Sequence, residues 1–178
     1  MVTQNDAAKS DAQRLAELIR EVRVAMFTTF APGSVGGSAP HARPMYTHNV
    51  KPEDFDGVLW FMTPTGTPKL RELAANQQVL VTYADAGKNV FVSVMGRATA
   101  EQNPEKAKEL WNIHAKGWYP GGPDDPNLTL IRVEVEEAEY WEGPSNTSYM
   151  LKLLKAVATN TRINLPVSGV DHARMKIG

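Results

Sequence analysis

The chain of 178 residues contains no cysteine. Disulfides, thiol nucleophiles and thiolate metal ligands are thereby excluded, and nothing points to an oxidising compartment. Net charge is nearly absent too: 19 Lys and Arg against 20 Asp and Glu leave −1 at pH 7. Nucleic acid or an acidic membrane would call for a concentrated basic surface, which this balance argues against. No apolar run approaches the roughly twenty residues that a membrane helix needs. The opening MVTQNDAAKSDAQRL carries no apolar signal core. The four histidines, His41, His48, His114 and His172, show no metal-ligand spacing. Asp124 and Asp125 beside Pro126 are explained by turn chemistry. A nucleophile elbow, a nucleotide-hydrolase glycine loop and paired carboxylates in an apolar setting are all missing, so hydrolase chemistry has no support. No repeat, low-complexity tract or linker divides the chain. One soluble cytoplasmic domain over residues 1–178 is expected, with loose ends at about 1–5 and 160–178, and it is long enough to bury a core unaided.

What is present is mostly strand-like. A helical apolar pattern covers Asp6 to Arg23, with Asp6 as its cap. Val24–Phe30 is β-branched and aromatic, and residues 32–38 form a flexible loop. Further strands are expected over Ala39–His48, Gly57–Thr63, Gln78–Ala84, Asn89–Glu101 (bending at Gly96) and Leu128–Trp141. Short helices follow Lys69 and Asn103, the second with Pro104 at its first turn. Residues 115–127 read as an irregular loop, Ser145–Ala158 as a final helix, and the rest as a polar tail. Six strands without regular strand–helix alternation point to a mainly β fold, a small antiparallel barrel with inserted helices.

The stretch HARPMYTHNVKPEDFDGVLWFMTPTGTPK, residues 41–69, concentrates the chemistry. Arg43 lies on one strand, while Thr63, Thr67 and Lys69 follow the other and open a helix. Two cations, two hydroxyls and the first free helix amides suit a phosphate. Met45, Trp60, Phe61 and Met62 are placed to cover a flat ring. Each residue also has an ordinary role. Arg43 suits an ion pair, Thr67 before Pro68 suits a helix cap, and alternation must send Trp60 or Phe61 into the core. Lys69 opposes the helix dipole, which favours an anion beside it.

Arg43-Pro44-Met45, then Leu59-Trp60-Phe61-Met62-Thr63 and Thr67-x-Lys69, resembles the flavin-binding half of the pyridoxamine-phosphate-oxidase-like split barrels, in the branch called general stress protein 26. The resemblance continues through Asn89–Gly96, Lys116–Pro120, Asp124–Pro126 and Ala138–Trp141, spanning roughly residues 15–145. It implies a six-stranded split barrel that binds FMN between two copies of the chain. Arg43 and Lys69 would hold the phosphate, Thr63 and Thr67 would donate to it, and Pro44, Met45, Trp60, Phe61 and Met62 would line the ring or offer it backbone hydrogen bonds. Trp111 and Trp118 would supply aromatic cover, Trp118 toward the partner subunit's flavin. Threonine stands at 67 where the family usually has serine. The arginine- and tryptophan-bearing C-terminal segment of pyridoxamine phosphate oxidase has no counterpart after Trp141, so vitamin B6 oxidation is not expected. Two function classes follow: a flavin-dependent oxidoreductase of unnamed substrate, or a flavin-binding stress or buffering protein without efficient turnover. Haem or the deazaflavin F420 in the barrel is a third reading. No catalytic residue is nominated.

Overall fold

The computed structural model describes residues 10–32, 38–48, 50–143, 154–155, 158–159 and 171–177. Helix α1 (Asp11–Arg20) opens with a reciprocal capping box. The Ser10 hydroxyl accepts from the Gln13 amide, and the Gln13 side chain accepts from the Ser10 amide. Asp6, the expected cap, lies outside the described residues. The helix stops short of Arg23, which adopts a left-handed φ of 56° and turns the chain into the sheet.

Among the described residues seven strands follow: β1 (Val24–Pro32), β2 (Ser38–His48), β3 (Val58–Pro64), β4 (Gln78–Asp85), β5 (Val90–Glu101), β6 (Leu128–Glu142) and β7 (Asp171–Lys176). Helix α2 (Pro68–Ala75) leaves β3, and α3 (Pro104–Leu110) and α4 (Ile113–Trp118) lie between β5 and β6. The strands pair antiparallel in the order β3-β2-β1-β4-β5-β6, and β3 also pairs with β6. This closes a six-stranded barrel, as expected. At the β5–β6 register shift the chains nearly touch: a Cβ on Gly96 would lie 2.3 Å from the Glu134 carbonyl oxygen, so only glycine fits the predicted bend.

Two expectations need correction. Residues 171–176 are not a loose tail: β7 pairs with β6 from Glu137↔Lys176 to Glu142↔Asp171, beyond the part of β6 that β3 occupies. Ala173, Met175 and Ile177 pack on the core. Within the expected 115–127 loop, α4 continues to Trp118, because the Asn112 side chain accepts from the amides of His114 and Ala115 and caps it. The helix expected over residues 145–158 falls largely outside the described residues; of its span Leu154, Lys155 and Ala158 are described, and they are helical.

Alternation along β3 divides the apolar residues into two sets. Leu59 and Phe61 are fully buried inside the barrel, where Phe61 meets Phe27 edge-on at 5.0 Å, and Leu15, Leu18 and Ile19 of α1 join the same core. Trp60 and Met62 point out of the barrel and pack with Leu128, Leu130 and α3. Among the described residues no helix is long and apolar enough to cross a membrane.

Candidate functional site

The barrel is split where β2 and β3 part. Their pairing is confined to Thr47↔Phe61 and His48↔Trp60. Extended, that register would set Tyr46 opposite Met62, Met45 opposite Thr63 and Pro44 opposite Pro64. A proline has no amide to donate, so the ladder cannot continue through Pro44 and Pro64. A cleft of about 490 Å³ opens there, lined by Pro44, Met45 and Tyr46 on one side and Met62, Thr63 and Pro64 on the other. Its volume is in the range of small-molecule sites.

One end of the cleft is cationic. Gly66, at φ 77°, makes the turn from β3 into α2. The turn brings the Lys69 ammonium back to the cleft, where Nζ donates to Thr63 Oγ1 at 2.8 Å, and Thr63 lies 3.4 Å from the Thr67 hydroxyl. Thr67 occupies the cap position of α2, but its side chain makes no capping bond and faces Thr63 instead. Burial and the nearby Arg43 charge lower the pKa of Lys69, against a smaller opposing pull from Glu72. A half-buried cation repelled by a second cation is where an anion is most stabilising.

The other end is aromatic. Tyr46 stacks on His114 at 4.5 Å and meets His48 edge-on at 5.0 Å, and all three line the cleft with Ala115, Trp118 and Tyr119. His48 is buried, and burial together with His114 pushes its imidazole down to about 4, against the Leu110 carbonyl, which favours the charged form. The ring is therefore neutral. With one nitrogen turned to the Leu110 carbonyl, Nδ1 accepts from the Asn112 side-chain amide at 3.2 Å. Since Asn112 caps α4, His48 ties that helix to the barrel.

Of the residues singled out from sequence, Pro44, Met45, Met62, Thr63, Lys69 and Trp118 line this cleft, with Thr67 beside Thr63. The remainder sit elsewhere. Phe61 is inside the barrel. Trp60 lies on the outer face with the Lys106 ammonium 5.2 Å from its ring centre. Trp111 lines a separate hollow of about 330 Å³ with Arg20, Arg23 and Lys51. Strand alternation and α3 packing turn these three side chains away from this cleft. Arg43 does not line it either, but donates to Glu72 Oε2 at 2.9 Å and to the Thr29 hydroxyl. Sequence reasoning missed Tyr46, His48, His114 and Glu72. The two-residue period from Pro44 through Tyr46 to His48 was a usable signal for the first two.

Over residues 10–164 the chain matches the family described as Pyridoxamine 5'-phosphate oxidase like. It is similar to General stress protein 26 of Bacillus subtilis, at 27% identity over 146 residues, 79% of this chain and 95% of that protein. It is also similar to Protein bli-3 of Neurospora crassa, at 27% identity over 90 residues, but that match spans 46% of this chain and 43% of the relative. The crystal structure of the general stress FMN/FAD binding protein from Xanthomonas citri superposes with a TM-score of 0.63 at 27% identity, covering 76% of this chain and 90% of that one. The family match takes in the closed barrel, the parting of β2 from β3 and the Lys69 end of the cleft, and the chain belongs to the Pyridoxamine 5'-phosphate oxidase like family.

Proposed function

We propose that the cleft binds FMN and that the protein is a flavin-dependent oxidoreductase working as a homodimer. Lys69 carries the reading. It is a desolvated ammonium at the helix end of an apolar cleft, with the hydroxyls of Thr63 and Thr67 beside it. These donors suit a terminal phosphate, and the chain has no dinucleotide fingerprint that would favour a second one. The Xanthomonas citri relative is described as an FMN/FAD binding protein, which supports a flavin here.

A bound flavin supplies the hydride and electron chemistry. The chain's own residues anchor, orient and desolvate. Lys69, Thr63 and Thr67 hold the phosphate, and Met45 and Met62 offer apolar walls that exclude water. His48, neutral and held by Asn112, fixes α4 as the far wall.

The case for a second copy rests on uncovered apolar surface. Trp118 at the cleft rim is 81% exposed and Ile113 on the same helix 76%. Val24 and Met26 on β1 and Phe91 and Met95 on β5 are exposed, and the registers Met26↔Thr82 and Thr82↔Ser93 put them on one outward face.

Titration of the purified protein with FMN and riboflavin, read by quenching of flavin fluorescence, tests the binding. A preference for FMN of about tenfold or more is expected. Equal affinity for riboflavin would refute the phosphate cradle. Consumption of a reduced cofactor in the presence of candidate acceptors tests turnover, and its absence in FMN-loaded protein would refute the oxidoreductase reading alone.

A further inference from the structure

Resting on that reading of the cleft, we infer that Glu72 is a positioning residue. It takes up the charge of Arg43 and leaves Lys69 as the cation that meets the ligand's phosphate. Glu72 is on α2, three residues beyond Lys69, and only 9% exposed. Both of its oxygens are engaged. Oε1 lies 2.7 Å from His41 Nδ1, and Oε2 accepts from Arg43 at 2.9 Å and from the Thr29 hydroxyl. Thr29 in turn accepts from the other end of the same guanidinium, so strands β1 and β2 clamp Arg43 onto the carboxylate from two sides.

The electrostatics agree with the geometry. Burial pushes the Glu72 carboxyl up, but Thr29, His41 and Arg43 outweigh it and hold it at about 2, so the group is ionised near neutrality. Arg43 and Glu72 together carry no net charge. Arg43 is absent from the lining of the cleft, whereas Lys69 is present in it. Glu72 also acts on Lys69, favouring its protonated form against the repulsion of Arg43. Among the described residues the cradle thus presents Lys69 as its uncompensated cation, and Arg43 serves it by neutralising a buried carboxylate beside the phosphate.

A single and a paired variant separate this role from direct contact. Arg43→Met leaves Glu72 negative and unpaired near the ligand, and FMN binding is expected to weaken about tenfold or more. Arg43→Met combined with Glu72→Leu removes both charges, a change that buried ion pairs often tolerate. The paired variant is expected to keep the wild-type preference for FMN over riboflavin to within about threefold. A pair as weak as the single variant would show that Arg43 grips the phosphate itself, and an unaffected single variant would show that Glu72 needs no neutralising. If Arg43→Met fails to fold, the pair measured against wild type decides by the same limits. A flavin-free readout is the NMR titration of the Lys69 ammonium, identified by its loss in Lys69→Arg. Glu72→Gln should lower its midpoint, because Arg43 then repels it uncompensated, and an unchanged midpoint overturns the inference. A wild-type protein that binds no FMN refutes the flavin reading, while the Lys69 titration still decides the role of Glu72.

Discussion

Lys69 is a half-buried cation whose charge burial disfavours. Its ammonium donates to a neutral hydroxyl, that of Thr63, and Arg43 repels it. Replacement by alanine removes a charge-assisted hydrogen bond worth about 1.5–3 kcal/mol, so FMN affinity is expected to fall about ten- to a hundredfold. Riboflavin, lacking the phosphate, should lose less than about threefold, and unchanged circular dichroism would show the fold intact. An equal loss for both ligands would place Lys69 outside the phosphate site. His48 gives a second expectation, in stability. Its folded pKa lies near 4, below the ordinary 6.5, so the unfolded chain takes up the proton first. The stabilisation is complete above about pH 6.5 and is lost as pH falls toward 4, at most about 3 kcal/mol over that window. Glu72, held near 2, loses its contribution only as pH falls through its ordinary 4.5 toward 2. Urea midpoints at pH 7 and pH 5 should therefore fall further for wild type than for His48→Gln. Lys69 and Thr63 were legible because they lie close in sequence and return to one place through a single turn. Glu72 was not, since its partners come from β1 and β2 and only the closed barrel brings them to α2.

At the scale of elements, Gly96 shows how strongly the barrel constrains its backbone. An alanine there would set its Cβ against the Glu134 carbonyl, a clash with main chain rather than with a movable side chain. Gly96→Ala is expected to lower stability by about 1–3 kcal/mol, read as a drop in thermal midpoint. An unchanged midpoint would mean that β5 and β6 slide apart at no cost. The barrel strands were readable because β-branched runs were punctuated by glycine, proline and aspartate, which fix both period and ends. The glycine at 96 even announced its bend. Helix α4 was hidden by the composition of the loop that follows it, although Asn112 is a good cap by type. Strand β7 was hidden by its brevity: His-Ala-Arg-Met-Lys-Ile does alternate, but three small or flexible apolar residues among cations read as a polar tail. Its docking depends on β6 outrunning β3, which only the assembled sheet shows. Trp60 and Phe61 were readable to the extent that one had to face the core. Which apolar cluster took the other depended on where α3 packed.

At the scale of the whole molecule, the question is what covers the cleft rim and the outer face of β1, β4 and β5. Four large apolar side chains there, Val24, Met26, Phe91 and Met95, are each more than one-third exposed. A second copy seated on this face would bury them and bring more apolar surface toward the cleft mouth near Trp118. An obligate interface of this kind buries about 2,000 Å² or more in total. Met26→Lys with Met95→Lys places two charges in that face without touching either buried core, and exposed substitutions of this type change monomer stability by less than about 0.5 kcal/mol. Sedimentation equilibrium is expected to show a dimer for wild type and a monomer for the double variant. FMN affinity should fall with the loss of the dimer, since the cleft would stay open to water. Trp118→Ala tests the shared site separately: flavin affinity should drop while the dimer persists and Lys69 remains in place. A wild-type monomer that holds one FMN tightly would sink the shared site and leave the cleft of a single chain sufficient.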